Sequence, residues 1–367
     1  MQPHSDKPLA GLRLIDLTRL LPGPAATQYL ADLGAEVLKI EDRAQGDYAR
    51  RFGLGDGDTR TSPFFSAINR GKQTLRLDLR DGADRARFID EVARSDAVIE
   101  SFRPGVMQRL GLGYDELQQH RPQLVYCAIS GFGQHGPQAL QAGHDINYLA
   151  AAGALEALTA EDGTPVLPNI QLADLMGGAL IALTGMLAAL LGARLHGRGR
   201  FIDVSMTDGV LLQQWLPLYA LNLHGRTRPP GRDLLNGGVP CYGLYRCGDG
   251  LWLAVGALEL KFWRALCQVL GRPDWCDAHW SLGQSPGSEA ALKLRDELRA
   301  VFASRPRAHW LERFAQADAC VTPVLRFDEA LAQARLRRPG LVRQGAIGGF
   351  ELQWFDSAAL WLGTELR

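Results

Sequence analysis

The sequence predicts an α/β protein: a doubly wound, Rossmann-like large domain followed by a smaller α+β domain. Short aliphatic runs alternate with helical patterns through the first third of the chain, which is the signature of stacked βαβ units. A segment dense in Gly, Pro and Arg (224–240) then breaks the pattern, and a hairpin and aromatic-rich helices follow it. With 367 residues, 46% of them hydrophobic, the chain is long enough to bury two cores.

The elements follow in order. GLRLIDLTR (11–19) has strand character, PGPAATQYLADLG (22–34) has the proline start and glycine stop of a helix, and AEVLKIE (35–41) is again a strand. A dinucleotide-binding turn carries GxGxxG between such a strand and helix; here it reads TRLLPGPAA, which argues against NAD at this position. Residues 42–73 form a long polar excursion of the kind that usually has a function. TLRLDL (74–79), DAVIES (96–101) and LVYCAIS (124–130) are further strands, and DGADRARFIDEVARS (81–95) is a capped helix. The last strand delivers the chain to GFGQHGPQALQAGHDINY, beyond a carboxyl edge, where open α/β sheets bind ligands. Gly131, Gly133 and Gly136 spell GxGxxG there, but Pro137 follows at once and no helix is in place to hold a pyrophosphate.

The uncharged run 175–191 approaches the length of a membrane span. Its Gly177, Gly178, Thr184 and Gly185, and its flanks Asp174 and Arg194, fit a buried helix better. Residues 197–221 give a strand and a helix opened by Thr207 or Asp208, and YGLYRCGDGLWLAVGA gives a hairpin turning at 248–250. Helices are expected at 261–270 and 290–303, and DACVTPVL (318–325) reads as a return to the large domain. The expected plan is therefore 1–222 for the large domain, 223–316 for the small one and 317–367 for the return segment.

Forty basic residues balance forty acidic ones, so no global field draws nucleic acid or an anionic membrane. An anionic ligand must be met by local cations, and Arg43, Arg70, Lys72, Arg103 and Arg109 all fall near the ends of successive β units. Six cysteines without CxxC spacing argue against a zinc site and against a disulfide framework, and point to a reduced, cytoplasmic protein. The first eleven residues lack the basic start and apolar core of a signal peptide.

The chemistry concentrates in 142–178, which holds His144 after a Gly-rich loop and Asp174 ahead of the apolar run. A histidine and a carboxylate offered from two loops suit a proton taken at one face of a carbon and returned at the other. An imidazole titrates near neutrality and so serves either role. Asp174 has a plainer reading as the N-cap of the apolar helix, where the helix dipole favours the carboxylate form. To donate a proton it must be buried among apolar neighbours or share a proton with the substrate, and the peptide N–H groups of the same helix start could meet an enolate oxygen. Glu259, after an apolar strand, reads by itself as a solvated turn residue.

GLRLIDLTRLLPGP, LADLGAEVLKIE, the NRGK step before TLRLDL, SFRPGVMQRLGLGYDEL, ISGFGQHGP, GRGRFIDVSMTDG and DACVTPVL together resemble the class III CoA-transferase (CaiB/BaiF) family along nearly the whole chain. AGHDINY (142–148) and GGVPCYGLYRCGDGLWLAVGALELKF (237–262) resemble its α-methylacyl-CoA racemase branch, whose sister transferases usually lack the histidine. The resemblance implies an interlocked homodimer, an acyl-CoA substrate, and no cofactor beyond the CoA moiety. The implied reaction is racemisation at C2 of a 2-methyl-branched acyl-CoA by 1,1-proton transfer through an enolate. It implies His144 and Asp174 as the two acid/base groups, with Glu259 paired to His144. It also implies CoA contacts at Arg43, Leu77, Leu79, Arg103 and Arg109 and at Gly143, Asp145 and Tyr148. Three positions depart from the branch: Ile170 stands where it has asparagine, Asn236 where aspartate is common, and ELKF replaces EPQF. The alternatives are CoA transfer between carboxylic acids, with Asp174 the nucleophile of an acyl anhydride, and a non-catalytic acyl-CoA-binding homologue.

Overall fold

The computed structural model describes residues 7–55, 60–227, 229–337, 341–344 and 350–352. Residues 1–6, read above as lacking a leader, and 353–367 of the expected return segment lie outside these. The chain divides into two compact units. The first comprises the residues up to Ala154, Leu167–Gln214, and the chain from Ala332 onward; the second is Leu155–Val166 and Trp215–Leu331.

The first unit begins β1 (Arg13–Asp16), α1 (Pro22–Asp32), β2 (Glu36–Glu41), α2 (Pro63–Ile68), β3 (Gln73–Arg76), α3 (Gly82–Ala93) and β4 (Ala97–Glu100). It continues with α4 (Val106–Arg109), α5 (Tyr114–His120), β5 (Val125–Ser130) and α6 (Asp145–Ala151). After α7 (Ala154–Ala157), which starts the excursion into the second unit, come a π-helix (Ala173–Leu180), α8 (Ile181–His196), β6 (Phe201–Ser205) and α9 (Met206–Leu211). The six strands form one parallel sheet in the order β3-β2-β1-β4-β5-β6, the doubly wound arrangement the sequence predicts. One face packs Ile15, Ile40, Val98 and Tyr126 against Phe88 and Val92 of α3 and Leu117 of α5. On the other side α8 lies against α1, β5 and β6, burying Ala182, Leu183, Met186 and Leu190.

Local chemistry sets the ends of these elements. Asp81 caps α3 by accepting the N–H groups of Ala83 and Asp84. The cap of α9 is Ser205, whose hydroxyl accepts from Asp208, rather than Thr207 or Asp208 itself. β3 stops at Arg76, so Leu77 and Leu79 lie beyond the strand, although the Leu77 N–H still bonds the Glu41 carbonyl at 2.9 Å. Ala173–His196 is long and apolar enough to cross a membrane; it packs one side in the first unit but leaves Leu191 and Leu195 exposed, so it is half-buried where a buried helix is expected. Its opening eight residues form a π-helix, a form that usually lasts a single turn and often marks functional sites.

The second unit contains α10 (Trp215–His224), β7 (Tyr242–Arg246), β8 (Trp252–Gly256), α11 (Leu260–Leu270), α12 (Glu289–Ala303), α13 (Arg307–Phe314) and β9 (Val321–Pro323). The hairpin turns where expected, and its antiparallel sheet runs β7-β8-β9. DACVTPVL therefore does not return to the first unit: Val321 pairs with Val255 as part of the third strand here, and the boundary falls at 331 rather than 316. The core is aromatic, and two of its indole N–H groups donate to carbonyls, Trp263 to Trp275 and Trp310 to Phe302, both at 2.9 Å.

Candidate active site

A cleft of about 440 Å³ opens at the carboxyl edge of the parallel sheet. Its walls come from the segments that follow β1, β2, β3 and β4, around the point where strand order reverses. Leu17, Ile40, Leu77, Leu79, Phe102 and Leu110 supply an apolar floor. Arg19, Arg43, Arg80 and Arg109 stand around it. Four of the expected CoA contacts, Arg43, Leu77, Leu79 and Arg109, thus meet in one place.

The expected cation set needs correction. Lys72 does not reach this rim: its side chain is 1% exposed and its ammonium donates to Asp16 Oδ2 at 3.1 Å, Thr27 Oγ1 at 2.7 Å and Asn69 Oδ1 at 2.9 Å. Arg70 is held by Asp32 at 2.5 Å. Arg103 does not line the cleft, and its charge bears instead on Tyr148. In their place the cleft has Arg19, which reaches Asp42 at 2.9 Å and stacks over Phe102, and Arg80, which pairs with Asp78 at 2.9 Å. Both follow directly on β1 and β3 runs that are legible in the sequence, and that position was the available signal.

The GHDINY loop is built around one ring. Tyr148 is 7% exposed and donates its hydroxyl to the Gly143 carbonyl at 2.5 Å, while Phe132 meets the ring edge-on. A Cβ on Gly131 would lie 2.2 Å from this ring and one on Gly143 would lie 2.7 Å from it. Gly131 of the GxGxxG match, and Gly143 beyond it, thus make room for the Tyr148 ring. Tyr148 shapes the loop from inside, with its hydroxyl proton engaged by the Gly143 carbonyl.

The loop leaves His144 exposed as the N-cap residue of α6, its N–H bonded to Asn147 Oδ1 at 3.0 Å. Asp145 comes next, and its Oδ1 accepts the peptide N–H of Asp174 at 2.9 Å. One residue and one hydrogen bond thus connect His144 to Asp174, although 29 positions separate the bonded pair in sequence. Asp174 lies in the first turn of the π-helix and makes no capping bond of its own. That sets aside its plainer reading as an N-cap, and it removes the Asp174 N–H from the groups free to meet an enolate oxygen. Burial, with the Asp145 charge second, pushes the Asp174 carboxyl up to about 7. One oxygen of Asp145 is thus engaged within the site.

Glu259 belongs to the second unit. It is exposed and precedes α11 without capping it. Ile170 is 57% exposed, and Asn236 bonds the Asp233 N–H at 2.6 Å.

Residues 9–354 match the model of CoA-transferase family III. The chain is 36% identical over 324 residues to alpha-methylacyl-CoA racemase of Homo sapiens, covering 88% of this chain and 79% of that one. It is 35% identical over 351 residues to acetyl-CoA:oxalate CoA-transferase of Acetobacter aceti, covering 93% and 87%. Among solved structures, a CaiB/BaiF family protein from Brucella suis superposes with a TM-score of 0.80 at 27% identity, covering 95% of this chain and 91% of that one. On the family match along almost its whole length, together with its doubly wound sheet, the chain belongs to CoA-transferase family III.

Proposed function

We propose that this enzyme racemises C2 of a 2-methyl-branched acyl-CoA by 1,1-proton transfer through an enolate, using no cofactor beyond the CoA moiety. His144 serves one face of the carbon and Asp174 the other. Glu259 enters this reading only from the motif resemblance, as the carboxylate partner of His144. The observation that carries it is the Asp174 carboxyl, pushed up to about 7 by burial and by Asp145. A group that titrates near working pH both gives and takes a proton efficiently, as a reversible racemase requires. The arginines of the sheet-edge cleft support binding of the phosphates of CoA, since guanidinium groups pair bidentately with phosphate.

A second reading is favoured by the transferase relative, which matches as well as the racemase does. In it the Asp174 carboxylate attacks the thioester carbonyl, thiolate leaves, and an aspartyl anhydride carries the acyl group. One experiment separates the two. Racemisation predicts uptake of deuterium at C2 from heavy water with no added carboxylic acid. Transfer predicts turnover that depends on an acceptor acid and survives His144→Ala.

A further inference from the structure

Two helix starts adjoin at the site, and one side chain ties them together. The first-turn N–H groups of a helix have no partner within it. For Asp174 that partner is Asp145 Oδ1, at 2.9 Å. We infer that Asp145 is a positioning residue for Asp174: its carboxylate, accepting the Asp174 N–H, fixes where the second proton-transfer group stands. This rests on the proton-transfer reading above.

The surroundings single out Asp145. The elements packed on the π-helix are α1, α6, α8, α9 and β6. α1 brings Tyr29 and Asp32, the latter held by Arg70 at 2.5 Å, and β6 brings Asp203, which accepts the Gln134 N–H at 2.9 Å. α9 brings Asp208, and the charged residues of α8, Arg194 and His196, sit in its last turn, far from the π-helix. α6 brings Asp145 and Tyr148, with His144 ahead of them. Of all these charges, the one that raises Asp174 beyond the effect of burial is Asp145. A carboxyl group next door makes a second negative charge costly, which favours the protonated form of Asp174.

Asp145→Asn keeps the shape and the acceptor oxygen and removes the charge, and Asp145→Ala removes both. The first readout is the pH profile of deuterium uptake at C2 of a 2-methylacyl-CoA, in the direction where Asp174 donates. That rate falls as pH rises past the Asp174 titration. Asp145→Asn is expected to move this limb toward acid by about one pH unit with KM unchanged. Asp145→Ala is expected to show the same shift together with a lower kcat at every pH. A limb that stays in place in Asp145→Asn overturns the inference. The second readout needs no turnover: carbon-13 titration of labelled aspartates, with Asp174 assigned by its loss in Asp174→Asn. Its midpoint should fall in Asp145→Asn, and an unmoved midpoint overturns the inference. A wild-type enzyme that exchanges no C2 hydrogen overturns the proposed reaction instead, while the titration still decides the role of Asp145.

Discussion

Gly177 of the π-helix and Gly209 of α9 cross backbone on backbone: a Cβ on Gly209 would stand 2.2 Å from the Gly177 carbonyl oxygen and 2.7 Å from its Cα. A Cβ on Gly177 would in turn meet the Met206 carbonyl at 2.4 Å. Backbone cannot yield as a flexible side chain can, so Gly209→Ala must push the two helices apart. The expected cost is about 1–3 kcal/mol in urea unfolding, with a further loss of activity because Asp174 rides on the displaced helix. Gly192→Ala in α8 is the control: nothing lies within 4 Å of its added Cβ. It should gain up to about 1 kcal/mol from helix propensity. Equal stability of the two variants would contradict the crossing.

Asp174 gives the enzyme a pH-dependent weakness. Its folded-state titration, about 7, lies above the ordinary value of 3.8. A raised carboxyl contributes its full stability below the unfolded value and loses it as pH climbs toward the folded one. Asp174→Asn should therefore match wild type near pH 4 and be more stable than wild type at pH 8. Denaturation midpoints across this range check the sign, and a wild type that is more stable at pH 8 contradicts it.

The cations divide into structural and binding groups. Lys72 is buried 3.1 Å from Asp16, and against the cost of burial Lys39 first, then Lys72 and the Thr18 and Thr27 hydroxyls, hold the Asp16 carboxyl well below the usual carboxylate range. Lys72→Met leaves Asp16 with Lys39 as its remaining buried cation and should destabilise the fold by less than the ~3–5 kcal/mol of an uncompensated buried charge. Arg109→Ala should leave stability unchanged, Arg43→Ala should lower it by removing the partner of the buried Asp84 carboxyl at 2.5 Å, and each should weaken CoA binding about tenfold, by calorimetry at low salt. Affinity that is indifferent to both arginines would remove CoA from the sheet-edge cleft.

α10 predicts the assembly. Trp215, Leu216, Leu218, Tyr219, Leu221 and Leu223 are each 49% exposed or more, and Ala220 is its one buried residue. A helix apolar on every side needs covering on every side, and we propose that a second copy of the chain covers it. Light scattering should give twice the 40.1 kDa chain mass. A stable monomer contradicts this expectation.

The sheet was legible because buried parallel strands are near-continuous aliphatic runs, and RLID, EVLKIE, AVIE and VYCAIS stand out between polar segments. His144 and Asp174 were legible as chemistry-bearing residues, but the bond from Asp174 to Asp145 was not, since it joins two helix starts through a loop of no fixed pattern. The π-helix was hidden for a similar reason: Gly177 meets Gly209 across a tertiary contact that no local period records. Lys72 and Arg43 look alike in sequence, each close to a strand end. What buries Lys72 is the convergence of Asp16, Thr27 and Asn69 from three separate segments. β9, three residues long, is too short for its alternation to be told from a loop.

The account turns on His144 and Asp174 serving opposite faces of one carbon. The most direct measurement incubates each pure C2 epimer of a 2-methylacyl-CoA in heavy water with His144→Ala and, separately, with Asp174→Asn. Each variant is predicted to lose racemisation yet still wash deuterium into a single epimer, with the two variants choosing opposite epimers. If both variants exchange the same epimer, or if His144→Ala racemises as well as wild type, the two residues do not flank the carbon.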